Sequence, residues 1–287
     1  RQRQLRHGAG RGIAPKAGLL MNLESKEDKL LLAQLADKQR QCEQRQYPVC
    51  SDFLDPRQQA LAQAAFAKRV ACCFWGGYAE AERRLLVFLP DYISQEEAAQ
   101  DSSLIWPMAE DEPLLVLRAR PTARQSKLSH RDYLGALLSL GISRNKLGDL
   151  LVRDEPEESA DIIILRELAD YLLLNFERAG RCSLTTELLP ASVLQHNKPK
   201  VELLKLNVSS LRLDAVAAAA FGVSRSKAAA AIAARLVAVD GLPQEKPDCT
   251  LTEGLHISWQ GKGKVRLAEV GGKTRKERLW LAIEKYI

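Results

Sequence analysis

The side chains best suited to chemistry are basic residues near the end of the chain, and the chemistry they favour is the binding of phosphate groups. Seven basic residues lie between positions 260 and 279, against two glutamates; the seven are Lys262, Lys264, Arg266, Lys273, Arg275, Lys276 and Arg278. Four glycines among them let the backbone approach an anion closely, namely Gly261, Gly263, Gly271 and Gly272. A nucleic acid bound by such a segment releases counterions, so its affinity should fall steeply with salt.

A second group of phosphate-binding candidates lies at the start of a predicted helix. Ser224 is a residue type that caps helices, and a helix is predicted from Arg225 to Leu236. The free N–H groups of its first turn attract an anion, and Arg225 and Lys227 add positive charge there. The full set of predicted RNA-binding residues is Arg212, Ser224, Arg225, Ser226, Lys227, Arg235, Lys262, Lys264, Arg266, Lys273, Arg275 and Lys276.

These residues need a scaffold of two helices and several strands. A helix from Ser209 to Phe221, ended by Gly222, should precede the capped helix. Three strands are predicted to follow, at Val237 to Val239, at His256 to Trp259 and at Val265 to Val270. We therefore expect a small basic domain over residues 205–287.

The positive charge is concentrated at the two ends of the chain, which has a net charge of +6. Residues 1–20 hold five basic residues and no acid, and residues 201–287 hold 14 Lys or Arg against 9 Asp or Glu. Residues 1–20 lack apolar periodicity and precede Met21, so we expect a disordered leader or an added extension there. The excess over residues 201–287 indicates a polyanionic partner for that part of the chain.

The composition, 46% hydrophobic and 27% charged, is typical of a water-soluble protein. The longest apolar run, Ala215 to Val223, is too short to cross a bilayer, so no membrane partner is expected. Gly272-Lys273-Thr274 resembles the end of a P-loop, but Leu267 occupies the position of its first glycine.

The six cysteines form no C-x-x-C pair, and the four histidines do not cluster near them. This pattern argues against a zinc site, which needs four ligands at short paired spacings. We expect reduced, buried thiols in a cytoplasmic protein that holds no metal and no cofactor.

Upstream of the basic domain, residues 110–192 predict the element order βαββαβ. The elements are the strand Leu114–Leu117, the helix Ser129–Leu140, the strands Asp149–Val152 and Asp161–Leu165, the helix Glu167–Ala179 ended by Gly180, and the strand Cys182–Leu188. This is the ferredoxin-like order of RNA-recognition modules. Its two central strands carry no aromatic residue for base stacking, so any RNA contact must use charge and shape. The available donors are His130, Arg131, Arg144 and Lys146, and a solvated polar surface explains them equally well.

Residues 21–94 predict a small N-terminal α+β domain, which makes the whole chain α+β in class. A polar helix over residues 24–46 is followed by Asp55 and Pro56, which suit the start of a second helix. A hairpin is predicted from Ala71 to Trp75 and Arg84 to Leu89. The acidic stretch from Gln95 to Glu112 is predicted to be a linker.

Three short runs after Ser209 resemble the S4-type RNA-binding domain, named for the ribosomal protein. They are Ser-Leu-Arg-Leu-Asp, Ser-Arg-Ser-Lys and Val-Ala-Val-Asp-Gly. The resemblance places the strand after the second helix on the RNA face, together with Arg212, Ser224, Arg225 and Lys227. Two residues depart from the family. Arg235 stands where glycine is usual and would add a phosphate contact, and Asp240 stands where asparagine is usual and cannot donate the hydrogen bond of an amide.

Longer runs resemble the YlmH family over almost the whole chain from Met21. The most specific run is His130-Arg131-Asp132-Tyr133-Leu134-Gly135; the others are Phe53-Leu54-Asp55-Pro56-Arg57, Leu147-Gly148-Asp149-Leu150-Leu151-Val152, Gly261-Lys262-Gly263-Lys264 and Gly272-Lys273-Thr274-Arg275-Lys276. The resemblance implies a bacterial cytoplasmic protein with an N-terminal domain, an RRM-like middle domain and a C-terminal S4-type domain. It also implies association with the ribosomal large subunit, ribosomal RNA and tRNA, a role in ribosome-associated quality control, and a historical label as a cell-division protein.

Three functions stay open at this point. The first, which we expect, is a monomeric, non-catalytic factor that binds ribosomal RNA or tRNA. The second is an RNA-modifying or tRNA-charging enzyme that carries an S4-type domain; the chain shows neither a synthetase-type signature nor a G-x-G-x-x-G cofactor loop before residue 205. The third is a protein-interaction factor in cell division that docks its partner through the acidic residues 21–200.

Overall fold

The computed structural model describes residues 25–67, 69–98, 102–108, 110–122, 128–153, 158–194, 201–273 and 278–286, with Ser102 and Lys273 described for their backbones alone. These residues form a mixed α+β structure with antiparallel sheets of three, five and six strands. The α+β class predicted from the sequence is confirmed. Among the described residues, no helix combines the length and the apolar character needed to cross a membrane. All six cysteines are free thiols.

The N-terminal unit packs two helices against a sheet of order β1-β3-β2. Its elements are α1 (Lys26–Arg45), β1 (Val49–Leu54), α2 (Pro56–Phe66), β2 (Cys72–Trp75) and β3 (Arg84–Phe88). The predicted start of α2 is confirmed: Asp55 accepts the backbone N–H of Gln58 at 2.8 Å, and the Gln58 side chain accepts the Asp55 N–H at 3.0 Å. The strand β1 was not predicted.

The acidic stretch predicted to be a linker does connect the first two sheets, but it is packed against them rather than extended into solvent. It forms the short helix α3 (Gln95–Ala98) and a 3-10 turn at Ser102–Leu104. Ile105 and Trp106, next in the chain, are 3% and 5% exposed and belong to a hydrophobic cluster with residues of β1 and β3. Apolar residues inside a charged segment thus anchor it to the core.

The middle unit has the predicted βαββαβ order. Its elements are β4 (Leu114–Pro121), α4 (His130–Ser139), β5 (Leu147–Arg153), β6 (Ser159–Leu165), α5 (Ala169–Asn175), β7 (Arg178–Ala179) and β8 (Cys182–Pro190). The sheet order is β5-β6-β4-β8-β7, which puts the first and third strands of the motif in the centre, as predicted.

The second helix of this unit is shorter than predicted. It ends at Asn175 rather than Ala179, because Arg178 and Ala179 pair with Ser183 and Cys182 as a hairpin. Gly180, predicted to end the helix, has a φ of +55° in the turn of that hairpin. Glycine with a positive φ occurs both at helix C-termini and in hairpin turns. Gly180 alone therefore did not distinguish a helix end from a hairpin.

Both faces of the middle sheet carry packed elements, and every residue of β6 is buried. One face packs on α4 and α5, through residues such as Leu137 and Leu172. The other face, which an RNA-recognition motif uses for bases, shares a cluster with the N-terminal sheet in which Ile163 packs with Phe53 and Leu85. The N-terminal unit therefore occupies much of the surface on which such a motif would stack bases.

Polar contacts close the same interface at its edge. Asp149 accepts hydrogen bonds from the Tyr78 hydroxyl at 2.7 Å and from the backbone N–H of Glu82 and Arg83 at 2.6 and 3.0 Å. Arg83 donates from Nε to the Leu147 carbonyl at 2.9 Å. Burial and the Asp149 carboxylate raise the pKa of Tyr78, so its hydroxyl remains a donor at neutral pH.

The C-terminal unit joins two short helices to the six-stranded sheet. Its elements are β9 (Val201–Val208), α6 (Leu213–Ala220), α7 (Arg225–Ala233), β10 (Val237–Val239), β11 (Leu242–Pro243), β12 (His256–Trp259), β13 (Gly263–Lys273) and β14 (Leu279–Tyr286). The sheet order is β11-β10-β12-β13-β14-β9. The predicted strands are confirmed, and β9, which pairs along the whole of β14, was not predicted.

The C-terminal unit also contacts the N-terminal unit. Gly241, in the turn between β10 and β11, has a φ of +78°, and a Cβ there would lie 2.7 Å from the backbone nitrogen of Arg57. On the same side, Lys264 Nζ lies 2.9 Å from Glu82 Oε1. Glycine is thus required at position 241 both by its backbone conformation and by its closeness to the start of α2.

Candidate nucleic-acid interface

A buried carboxylate organises the start of α6. Asp214 is 4% exposed and accepts hydrogen bonds from Arg212 Nη2 at 3.0 Å and Arg225 Nη2 at 3.2 Å. Burial opposes ionisation of Asp214, but the hydrogen bonds from Arg212 and Arg225 outweigh it and lower the pKa of this carboxyl below its usual value. Both arginine side chains remain about half exposed, so they are held in place at the surface with part of their charge offset.

This arrangement predicts acid sensitivity of the C-terminal unit. A carboxyl with a lowered folded pKa contributes stability in full above its unfolded pKa of about 4, and that contribution is lost as pH falls through the folded value. We expect Asp214→Asn to be less stable than the parent at pH 6 and to show a shallower loss of melting temperature between pH 6 and pH 3. Circular dichroism melts give both quantities. Glu269→Gln, at an exposed carboxylate, should keep the parental slope; equal slopes in all three proteins would contradict the role of Asp214.

The start of α7 presents exposed donors, as predicted. Ser224 caps the helix by accepting the Lys227 N–H at 3.3 Å, and its hydroxyl lies 3.1 Å from that of Ser226. Ser224, Arg225, Ser226 and Lys227 are all exposed. The helix ends three residues earlier than expected, because Arg235 adopts a φ of +59° and Leu236 N–H bonds to the Ala231 carbonyl at 3.0 Å.

A shallow groove of about 480 Å³ lies between α7 and the turn from β12 to β13. We call it the α7 groove; it is lined by Lys227, Ala230, Ala231, Ala234, Leu236, Trp259, Gln260, Gly261 and Lys262. Two lysines that are 35 positions apart in the chain thus meet at one surface, and none of the described residues that line it is acidic. The Lys262 ammonium lies 5.7 Å from the centroid of the Trp259 ring, a cation–π contact that helps to hold it there.

The other predicted residues divide into three classes. Some are paired with acids: Arg235 with Glu245, Lys264 with Glu82, and Arg266 Nη1 with Glu284 Oε2 at 3.2 Å. Arg212 and Arg225 share Asp214. Arg275, Lys276 and the side chain of Lys273 lie outside the described residues. The structure therefore brings Lys227 and Lys262 together, while the paired residues share their charge with an acid.

The two departures from the S4-type pattern have structural explanations. Arg235 and Asp240 both have left-handed backbones, with φ of +59° and +46°, and these conformations suit glycine and asparagine respectively. Asp240 Oδ1 accepts the backbone N–H of His256 at 2.8 Å, a bond in which an asparagine oxygen would serve equally. The substitution at position 240 thus keeps this hydrogen bond.

The four donors predicted in the middle unit have different roles. Arg144 donates from Nη1 to the carbonyls of Leu147 and Gly148 at 2.8 and 3.0 Å. Lys146 bridges Asp52 and Glu167 at 2.9 and 2.8 Å, so it ties the first two units together. His130 and Arg131 are exposed at the start of α4; desolvation and the charge of Arg144 lower the pKa of His130.

Comparison with known proteins supports two of the three units directly. Residues 27–93 match a family model described as "YlmH, N-terminal", and residues 107–192 match one described as "Putative RNA-binding domain in YlmH". The ribosome-associated protein quality control protein P2 of Bacillus subtilis (strain 168) is 30% identical over 261 residues, which cover 91% of this chain and 96% of that protein. The chain belongs to the YlmH family.

A solved structure from the same family also matches. The cell division protein ylmH from Streptococcus pneumoniae is 24% identical, with a TM-score of 0.44, over 58% of this chain and 94% of that one.

Two features of this YlmH-family site were not found from the sequence. The first is the role of Asp214, which was noted only as part of a motif; an acid two residues after Arg212 in the first turn of a helix was the available signal. The second is the α7 groove. No local signal could reveal it, because Lys227 and Lys262 meet only through the pairing of β10 with β12.

Proposed function

We propose that this protein binds structured RNA of the ribosome, ribosomal RNA and tRNA on the large subunit, through its C-terminal unit. It acts there as a monomeric, non-catalytic factor in ribosome-associated quality control in the cytoplasm. The observation that carries the proposal is the meeting of Lys227 and Lys262 beside the capped start of α7, on a surface whose lining, over the part of the chain that the structure describes, holds no acid. Helix starts and unopposed lysines favour phosphate oxygens.

Two further observations support this function. The family model for residues 107–192 is described as RNA-binding, and the Bacillus subtilis relative is named for ribosome-associated quality control. Since that relative and this chain cover each other almost completely, the proposal concerns the whole chain rather than one unit. The N-terminal unit covers much of the base-stacking face of the middle sheet, which favours the C-terminal unit as the main RNA contact.

Reversing the two groove charges should abolish ribosome association. We expect Lys227→Glu with Lys262→Glu to weaken binding to purified large subunits on the order of 100-fold at low salt, because two attractive phosphate contacts become repulsive. Co-sedimentation over a series of salt concentrations measures this. Both side chains are exposed, so circular dichroism of the variant should match that of the parent.

The matched control carries the same change in net charge on α1. Lys26→Glu with Lys29→Glu should co-sediment like the parent, since both lysines are exposed on the N-terminal unit. Equal loss in both double variants would point to net charge rather than to the proposed surface. Parental binding that does not weaken with salt would contradict the proposal as a whole.

A further inference from the structure

The α7 groove combines two surfaces that phosphate binding alone does not need. Beyond Lys227, one side of the groove is lined by Ala230 and Ala231 of α7 and by Ala234 directly after it, whose side chains are single methyl groups. Leu236, 41% exposed, and the edge of the nearly buried Trp259 complete an apolar wall. The wall is held in place by the Gln260 N–H, which bonds to the Leu236 carbonyl at 2.9 Å.

The positive charge of the groove lies beside this apolar wall and not within it. Lys227 stands at the start of α7, and Lys262 stands in the turn where Gly261 and Gly263 have φ of +78° and +105°. A ligand that fits must offer a flat apolar part flanked by negative charge. The exposed amide of Gln260 adds a donor and an acceptor at the rim.

A single nucleotide offers this combination, whereas a continuous stem does not. In a paired RNA helix the bases are stacked inside and only backbone is presented to a shallow surface, but an unpaired nucleotide exposes its base. We propose that the α7 groove takes the base of one unpaired nucleotide, with the adjoining phosphates bound by Lys227 and Lys262. This inference rests on the proposed RNA binding and specifies which RNA feature is recognised: a bulge or loop rather than a stem alone.

The test uses three RNA hairpins of identical stem, each closed by the same non-nucleotide linker so that no loop nucleotide is unpaired. One has a single-nucleotide bulge, one has an abasic nucleotide at the bulge, and one is fully paired. We expect the full-length protein to bind the bulged hairpin about tenfold more tightly than the abasic one, because the backbone is the same and only the buried base differs. Fluorescence anisotropy titration at one fixed salt concentration measures the three affinities.

A filled groove should remove this preference. Ala230→Leu places a larger apolar side chain in the groove without changing charge or helix propensity greatly. We expect the variant to bind all three hairpins about as tightly as the parent binds the abasic one. Ala233→Leu, the same substitution at an exposed position of α7 outside the groove, should keep the parental preference.

The outcomes separate this inference from the proposed function. If the parent binds the bulged and abasic hairpins equally, or if Ala230→Leu keeps the preference, the groove does not take a base, while RNA binding still stands. If the parent binds none of the hairpins and no ribosomal particles, the proposed function itself fails. Competition by a phosphoserine peptide that matches competition by the bulged hairpin would assign the groove to a protein partner instead.

Discussion

Asp161→Ala should destabilise the protein by about 3–5 kcal/mol, the cost of removing one partner from a buried ion cluster. Asp161 is fully buried on β6 and accepts hydrogen bonds from Arg118 Nε at 2.6 Å, Arg118 Nη2 at 3.0 Å and Arg153 Nη2 at 2.5 Å. The two arginine side chains are only 16% and 17% exposed. Without the carboxylate, two guanidinium groups would face each other in a poorly solvated place.

Urea unfolding followed by tryptophan fluorescence measures this effect, since the nearly buried Trp106 reports on the cluster shared by the first two units. Glu187→Ala is the matched control. Glu187 pairs with Arg120 on the same sheet, but both side chains are 44% exposed, so its loss should cost under about 1 kcal/mol. Similar midpoints for the two variants would show that Asp161 has no special structural role.

Gly148→Ala is the second substitution with a large expected effect. A Cβ at this position would lie 2.8 Å from Phe53 Cε1 and 3.0 Å from Ile163 Cβ, and both residues are fully buried. Overpacking of this kind costs about 1–3 kcal/mol, and here it should also push the N-terminal sheet away from the middle sheet. We expect a lower melting temperature and faster proteolysis between α3 and β4.

Gly135→Ala provides the comparison, because Gly135 lies in α4 and, among the described residues, an added Cβ would have no neighbour within 4 Å apart from the adjacent residues and the backbone of its own helix. Alanine favours helix over glycine by up to about 1 kcal/mol, so this variant should melt at or above the parental temperature. If both alanine variants melt alike, the close approach of Phe53 to Gly148 does not constrain the packing of the two sheets.

Local signals predicted much of the fold. Ser224 and Asp55 marked their helix starts correctly, and the turns around Asp240-Gly241 delimited β10 as predicted. The missed strands lack a clear signal: β1 contains Ser51 and Asp52, and β9, at a sheet edge, leaves Glu202, Leu203 and Lys205 exposed in no regular alternation. Their pairing depends on partners far along the chain, which periodicity does not report.

The candidate site was predicted in part, for the same reason. The residues at the start of α7 follow from one cap and its neighbours, so they were found. The pairing of Lys264 with Glu82 spans 182 positions, and nothing local indicated it. The burial of β6 on both faces of the sheet did have a signal in the sequence. This signal is the continuous apolar run Ile162–Leu165, which is typical of a strand covered on two sides.

The shared packing of Phe53 with Ile163 also sets an order of events during synthesis. Phe53 leaves the ribosome 110 residues before Ile163, which at bacterial elongation rates is a delay of about 5–20 s. For that interval the N-terminal sheet has no middle sheet to cover its apolar face, and such surfaces recruit chaperones or aggregate. We expect nascent chains stalled before β6 to be captured by chaperones and those stalled after β8 to be released. The N-terminal unit is therefore made before the middle unit but completes its packing only together with it.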